Sequence, residues 1–388
     1  SSDLPVLMEP LLLPQESPVR AELNDAVLAL AKTSSAFRAS LPPAILTSLA
    51  GLVRSMNCYY SNLIEGHNTH PVEIERALGG DYAGDRHKRN LQEEARAHIA
   101  VQAWIDSGAI GRGEETSAAT VRDIHRRFCE LLPEELLWVE DTETREKLAV
   151  VPGELRARHV RVGGHVAIAP GAVPAFLNRF HEVYGALGDA EAALSAAASH
   201  HRLLWIHPFL DGNGRVARLM SHAVLLRAVD TAGLWSIARG LARNVQRYKS
   251  LLAACDEPRS GDLDGRGTLS ERALVEFTRF FLETCLDQVR FMEGLCEPRT
   301  LRSRILTWGE EKIRLGRFAA QSGRLLDALL YRGEIPRGEI PAILGVSERH
   351  ARRAVSELLT ARAIDSESSR SPLRLAFPAA LAGRWFPG

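Results

Sequence analysis

Cysteine is scarce and dispersed in this chain. Five residues of 388 carry thiols (Cys58, Cys129, Cys255, Cys285 and Cys296), and no two form a CxxC pair. That spacing argues against a disulfide-built scaffold and a thiolate zinc site, and it points to reduced thiols in a cytoplasmic protein. Long apolar runs are also missing, so no segment reaches membrane-spanning length. Neither sign of charge is in excess: Lys plus Arg and Asp plus Glu number 48 each. Global basicity therefore gives no reason to expect nucleic acid, although a local basic patch stays open. The chain begins Ser1-Ser2 without methionine, as a processed or engineered chain does, and no basic-then-apolar leader follows. What is present is the composition of a globular protein. Hydrophobic residues make up 45% and charged ones 25%, in a chain long enough for two or three domains.

The densest chemistry lies in residues 207–218, His-Pro-Phe-Leu-Asp-Gly-Asn-Gly-Arg-Val-Ala-Arg. Gly212 and Gly214 flank Asn213, so successive backbone N–H groups can turn into one concavity. Apolar residues at helical spacing follow (Val216, Met220, Ala223, Val224), which makes this a glycine-rich loop feeding a helix N-terminus. Such an end attracts anions. Yet it opens with Arg215 and Arg218, two cations on one face at the end where cations are disfavoured. An anion between them would relieve the conflict, and a polyphosphate fits. Asp211 is a hard oxygen ligand suited to Mg²⁺, and His207 can take a proton from a hydroxyl. A turn with a buried histidine and surface arginines explains any one of these residues, but not all of them together.

His207 to Arg215 resembles the signature loop of the Fic family, His-Pro-Phe-x-Asp/Glu-Gly-Asn-Gly-Arg, at every position. The resemblance implies transfer of AMP from ATP to a hydroxyl side chain (Ser, Thr or Tyr) of a target protein. His207 would be the general base and Asp211 the Mg²⁺ ligand. Gly212, Asn213, Gly214 and Arg215 would form the phosphate cradle, with Arg218 as a second phosphate contact. The implied fold is mainly α, a Fic-type helical bundle with a small β-hairpin flap; the C-terminal part separately resembles a winged helix-turn-helix, so a winged-helix domain is expected there.

A second motif, Ser61-Asn62-Leu63-Ile64-Glu65-Gly66, closes a helix expected over 43–65. Ser61 and Glu65 share a face, and Glu65 stands at the helix's negative end, where a carboxylate is disfavoured. By itself that describes a solvated surface glutamate. The segment also resembles the Fic inhibitory motif, Ser/Thr-x-x-x-Glu-Gly/Asn. That resemblance implies that Glu65 pairs with Arg215 and crowds the ATP γ-phosphate. His67 and His70 read as ordinary surface histidines, and His125 as a packed or capping one.

Helical spacing further predicts helices over about 18–36, 91–107, 117–132, 171–186, 189–205, 213–229, 235–250 and 271–295. Residues 1–18 are expected to lie extended. The one strand pair visible in the middle of the chain alternates Val160, Val162, Val166 and Ile168 around Gly163-Gly164. In Fic proteins such a hairpin is the flap that holds the modified segment. Val160, Arg161, Val162 and Gly163 are therefore the backbone contacts assigned to flap and nucleotide. By resemblance Tyr248 stacks on the base, while Cys255 stands where the family pattern calls for asparagine. The loop at 256–268 contains Asp-Leu-Asp-Gly but lacks the glutamate of a calcium loop.

The chain thus divides into an N-terminal helical region with the inhibitory helix (1–90), a Fic core (91–297), and a connector helix with a winged helix-turn-helix (298–388). In the last part Ser347 caps a helix that presents Arg349, His350, Arg352 and Arg353 for DNA, or that helix docks protein instead. The alternatives to an autoinhibited AMP transferase are a DNA-binding regulator that uses the Fic core as a nucleotide sensor or self-modifying switch, and a Fic enzyme that removes AMP. Self-modification and a homodimer are compatible with these readings.

Overall fold

Residues 43–64 illustrate how most of the chain folds. Ile45, Leu49, Leu52 and Val53 recur at helical spacing, and all are buried. In the computed structural model, which describes residues 4–141 and 144–386, they belong to α2 (Pro43–Ile64), which follows α1 (Arg20–Ala39). Proline suits the first position of α2, and Gly66, at φ +89°, turns the chain beyond its end. Then come α3 (Pro71–Leu78), α4 (Arg86–Asp106) and α5 (Ala118–Cys129). Two hairpins follow: β1 (Trp138–Glu140) with β2 (Lys147–Ala149), and β3 (Arg161–Val162) with β4 (His165–Val166). The fold is mainly helical, as expected.

The expectation of one mid-chain hairpin is corrected here. The β1–β2 pair goes unseen in the sequence because its strands are short and mostly exposed, so no apolar alternation marks them. The residues expected to form a helix over 189–205 are instead two helices, α7 (Asp189–Leu194) and α8 (Ala196–Ile206), after α6 (Val173–Tyr184). Ser195 breaks them apart at ψ 4°, inside an alanine-rich run whose pattern shows no interruption. α9 (Asn213–Ala228) matches its expected span. The single helix expected over 235–250 is also replaced, by α10 (Ala238–Arg243) and α11 (Val245–Asp256), with Asn244 non-helical between them. α12 (Glu271–Leu295) completes this stretch. The N-terminal segment is not extended throughout, because Pro5–Met8 form a 3₁₀ turn. It is nevertheless tied down: Met8 and Leu11 are buried, and the Tyr184 hydroxyl donates to the Leu11 carbonyl at 2.7 Å.

The chain divides into two compact units that interleave in sequence. One takes in the chain up to Ser35, Asn57–Thr231 and Ser236–Gln288, and the other Ala36–Met56, Ala232–Trp235 and the chain from Val289 on. In the first unit α8 and α9 form the centre. Leu203, Ile206, Val216, Leu219 and Met220 are nearly inaccessible, and α9 is buried on almost every side. A helix so enclosed normally carries few polar groups. Asn213, Arg215, Arg218, Ser221 and His222 are nevertheless buried on it, and each has a partner.

The second unit includes α13 (Pro298–Arg314), α14 (Ser322–Arg332), β5 (Glu334–Ile335), α15 (Ile340–Leu344), α16 (Glu348–Thr360), β6 (Ile364–Asp365), β7 (Leu373–Leu375) and α17 (Ala379–Trp385). Its antiparallel sheet runs in the order β5-β7-β6. Leu325, Leu329, Leu344, Leu358, Leu373 and Leu375 close its core. No helix among the described residues is long and apolar enough to cross a membrane.

Candidate active site

The loop between α8 and α9 is shaped by three positions. His207 ends α8 in the left-handed region at φ 52°. Gly212 follows at φ +79°, a left-handed backbone that glycine adopts without strain. Asn213 then closes the loop. Its Oδ1 accepts from the Phe209 N–H at 3.0 Å, and its Nδ2 donates to the Phe209 carbonyl at 2.9 Å. The Asn213 side chain is thus spent on shaping the loop, which leaves the backbone of α9's first turn to face a ligand. His125 is the packed histidine expected. It stacks on Phe209 with centroids 3.9 Å apart and accepts from the Gly153 N–H at 2.9 Å.

One cavity of about 1020 Å³ opens on this loop. His207, Asp211, Gly212, Asn213, Gly214, Arg215 and Arg218 line it, together with Glu65, Tyr248 and the flap residues Val162 and Gly163. Val160 and Arg161 do not line it. Ser61 lies behind Arg218 instead, fully buried, and its Oγ accepts from Arg218 Nε at 2.8 Å. Tyr248 is buried, with its hydroxyl 2.7 Å from His200 Nε2, so its place in the wall is fixed from behind. Cys255 is buried away from the lining, where Leu252, Ala253 and Asp256 stand instead.

The His207 ring is oriented by its Nδ1, 3.3 Å from the Leu204 carbonyl. With the proton on Nδ1, Nε2 is left as the acceptor. Burial pulls its pKa down to about 4, which favours the neutral ring.

The expected pairing of Glu65 with Arg215 is corrected by the geometry. Glu65 pairs with Arg218, which also donates to the Ser61 carbonyl at 3.2 Å. Arg215 pairs with Glu94 of α4, a buried carboxylate whose second oxygen lies 2.7 Å from His67 Nδ1. The two arginines share a face, but different elements border it: the end of α2 brings Glu65 to Arg218, and α4 brings Glu94 to Arg215. Burial would raise the Glu65 carboxyl, but the charges of Arg218 and Arg215 and the hydrogen bond from Arg218 outweigh it, and the pKa is lowered. Burial lowers Arg215 to about 10.

Glu65 also lies against the backbone at the start of α9. A Cβ on Gly214 would come 2.5 Å from Glu65 Oε1, so glycine is what lets the carboxylate approach. A carboxylate therefore already occupies the ground an incoming anion would use.

Glu94 and His67 are the site-forming residues that sequence reasoning passed over. Glu94 carries no motif, while His67 directly follows the Glu65-Gly66 pair and could have been read with it. His70 serves structure by capping α3. Asp264, in the loop after α11, spends its carboxylate on the Ser260 and Arg272 N–H groups and the Ser270 hydroxyl. On α16, Arg349, His350, Arg352 and Arg353 are exposed. Arg352 pairs with Glu348 and Arg353 with Glu357, each at 2.8 Å.

Residues 115–225 match the model of the Fic/DOC family. Curated relatives named protein adenylyltransferase Fic include one from Culex quinquefasciatus, 29% identical over 46% of this chain and 34% of the relative. Another, from Nematostella vectensis, is 32% identical over 44% of this chain and 37% of the relative. The chain spans about a third of the length of these relatives. Among solved structures, a Fic family protein from Desulfovibrio desulfuricans aligns with a TM-score of 0.54 at 16% identity, covering 94% of this chain and 98% of that one. Fic-1 from C. elegans aligns with 0.53 at 16%, covering 71% and 73%. At such identities the likeness is one of fold.

Proposed function

We propose that this chain is a protein adenylyltransferase restrained by Glu65. The observation that carries the reading is the single cavity in which a neutral His207, Asp211, the N-terminus of α9 and two arginines converge. A target hydroxyl would lie along the flap, and His207 Nε2 would take its proton. The hydroxyl oxygen would form a bond to the α-phosphorus of ATP as the bond from that phosphorus to the β-phosphate's bridging oxygen breaks. AMP would stay on the target and pyrophosphate would leave. The backbone of Gly212–Arg215 and the guanidiniums of Arg215 and Arg218 would hold the phosphate charge.

The family implies Mg²⁺. Asp211, an exposed carboxylate on the cavity wall, suits an ion bound mostly by phosphate oxygens and water. Among the described residues no cluster of three or more ligands stands ready to cage a metal without them. When bound, the ion would neutralise charge on the phosphates.

Glu65, on Arg218 and against Gly214, would deny the terminal phosphate its clamp. The same carboxylate is equally placed to position a water for removal of AMP. A second reading of the whole chain rests on residues 322–375, where α14, α15 and α16 with a three-stranded sheet have the order of a winged helix-turn-helix. That reading is a DNA-binding regulator, or a protein-docking module, since two of the four basic residues are tied to carboxylates.

One experiment separates these readings. The protein is incubated with α-labelled ATP and, in parallel, with duplex DNA fragments at low salt. Transfer of label that His207→Ala abolishes without loss of ATP binding supports the enzyme. Transfer undiminished in His207→Ala rejects His207 as base, and DNA retention without any transfer favours the regulator.

A further inference from the structure

Arg156 has no part in the reading above, yet it is among the most committed side chains in the first unit. It is 3% exposed, and its guanidinium donates only to main-chain carbonyls. Nε reaches the His207 carbonyl at 2.7 Å, and Nη1 the Arg158 carbonyl at 2.8 Å. Nη2 reaches the Ile168 carbonyl at 2.5 Å and the Ile206 carbonyl at 3.4 Å. The backbone N–H of Arg156 adds a bond to the Pro208 carbonyl at 2.9 Å.

A buried guanidinium without a carboxylate partner is costly, and burial lowers its pKa to about 10. The unpaired carbonyls at the C-terminal end of α8 offset part of that cost, since a helix end of that sign favours a cation. The choice of carbonyls is informative. Arg158 and Ile168 stand at the two roots of the β3–β4 flap, and residues 206–208 bracket His207, which is itself held in the left-handed region. One planar fork thus bolts both ends of the flap to the backbone that carries the base.

We propose that Arg156 is a positioning residue that keeps the flap and His207 in one register, so that a hydroxyl laid on the flap arrives at Nε2. This rests on the roles given to His207 and the flap under Proposed function. Arg156 touches none of the phosphate cradle, so its loss spares nucleotide binding while the reacting groups drift apart.

The test has two arms. In the first, label transfer from α-labelled ATP to the chain itself is followed in Glu65→Gly protein with and without Arg156→Gly. The added substitution is expected to slow transfer about 100-fold, the order of effect of an ångström-scale misplacement. Equilibrium binding of labelled ATP stays unchanged, and guanidinium ion at millimolar, non-denaturing concentration restores part of the rate. In the second arm, hydrogen exchange compares the amides of residues 160–168 with those of 209–216. The flap amides are expected to exchange faster without Arg156 and the loop amides to be unchanged.

Arg156→Lys keeps the charge but not the fork, and it is expected to show the same faster flap exchange even where the glycine variant does not fold. Flap exchange equal to the parent's in both variants, or a rate loss that guanidinium does not relieve and that tracks a loss of ATP binding, overturns the proposal. If Glu65→Gly transfers no label while the flap amides still quicken, the link between flap and loop stands, and the reading of the site as a transferase is what fails.

Discussion

Arg215 and Arg218 lie one turn apart on α9, both buried and each facing a carboxylate, but the two carboxylates are held in opposite ways. Glu94 projects from the middle of α4, is 3% exposed, and shares its second oxygen with His67. Glu65 stands just past the end of α2, its side chain is 33% exposed, and it faces the cavity. A carboxylate enclosed with its partner is part of the scaffold, because either charge left alone would be stranded away from water. A carboxylate at a helix end, a third exposed and facing a cavity, can turn out to solvent, while Arg218 keeps its bonds to Ser61. The two neighbouring ion pairs thus differ in kind: Arg215 meets an enclosed carboxylate and Arg218 one that faces the cavity, and under the proposed function the second is the one that would yield.

The largest expected effect breaks the enclosed side of this comparison. Glu94→Ala is expected to cost about 3–5 kcal/mol of stability, since it strands the Arg215 charge in the interior. Glu65→Ala is expected to cost less, about 1–3 kcal/mol, because Arg218 borders the cavity and keeps its bonds to Ser61. Unfolding midpoints in urea measure both, and equal losses would mean that the two pairs are not different in kind.

Next in size is the release itself. Glu65→Gly is expected to raise transfer of labelled AMP roughly 10- to 100-fold, which corresponds to about 1.4–2.8 kcal/mol of barrier. In an Arg218→Ala background the same substitution is expected to give little gain, because the arginine it would free is gone. A gain of full size in that background would show that Glu65 acts on something other than Arg218.

The smallest effect is an expected constancy with pH. The Glu65 carboxyl is held below its ordinary range, so what its pairing contributes is present above the unfolded carboxylate value and is lost only as pH falls through the lowered folded one. The ratio of Glu65→Gly to parent activity is therefore expected to stay flat between about pH 6 and 8. A ratio that narrows across that window would point to another titrating group as the lock.

Much of the site was legible in the chain because its signals are local. The turn at Gly212, the first turn of α9, the unfavourable end position of Glu65 and the two-glycine hairpin all follow from residues within a few positions of one another. Chain-distant pairings were not legible. Glu94 is 121 positions from Arg215 and carries no motif, so nothing local corrected the expectation that Glu65 would meet Arg215. Arg156 was equally silent, because its partners are backbone carbonyls that any residue could supply. The β1–β2 hairpin escaped for a different reason, since short exposed strands leave no hydrophobic period to read.

The sequence by itself therefore determined the helical class, the anion-seeking loop and the chemistry gathered in it. These depend on backbone conformation and residue type over short spans, where propensity, capping and glycine's freedom act without help from the rest of the fold. Only the tertiary structure decided which carboxylate restrains which arginine, and what holds the flap to the base. Those contacts depend on where α2 and α4 lie against α9, a matter settled by packing across the whole unit and not by any single segment.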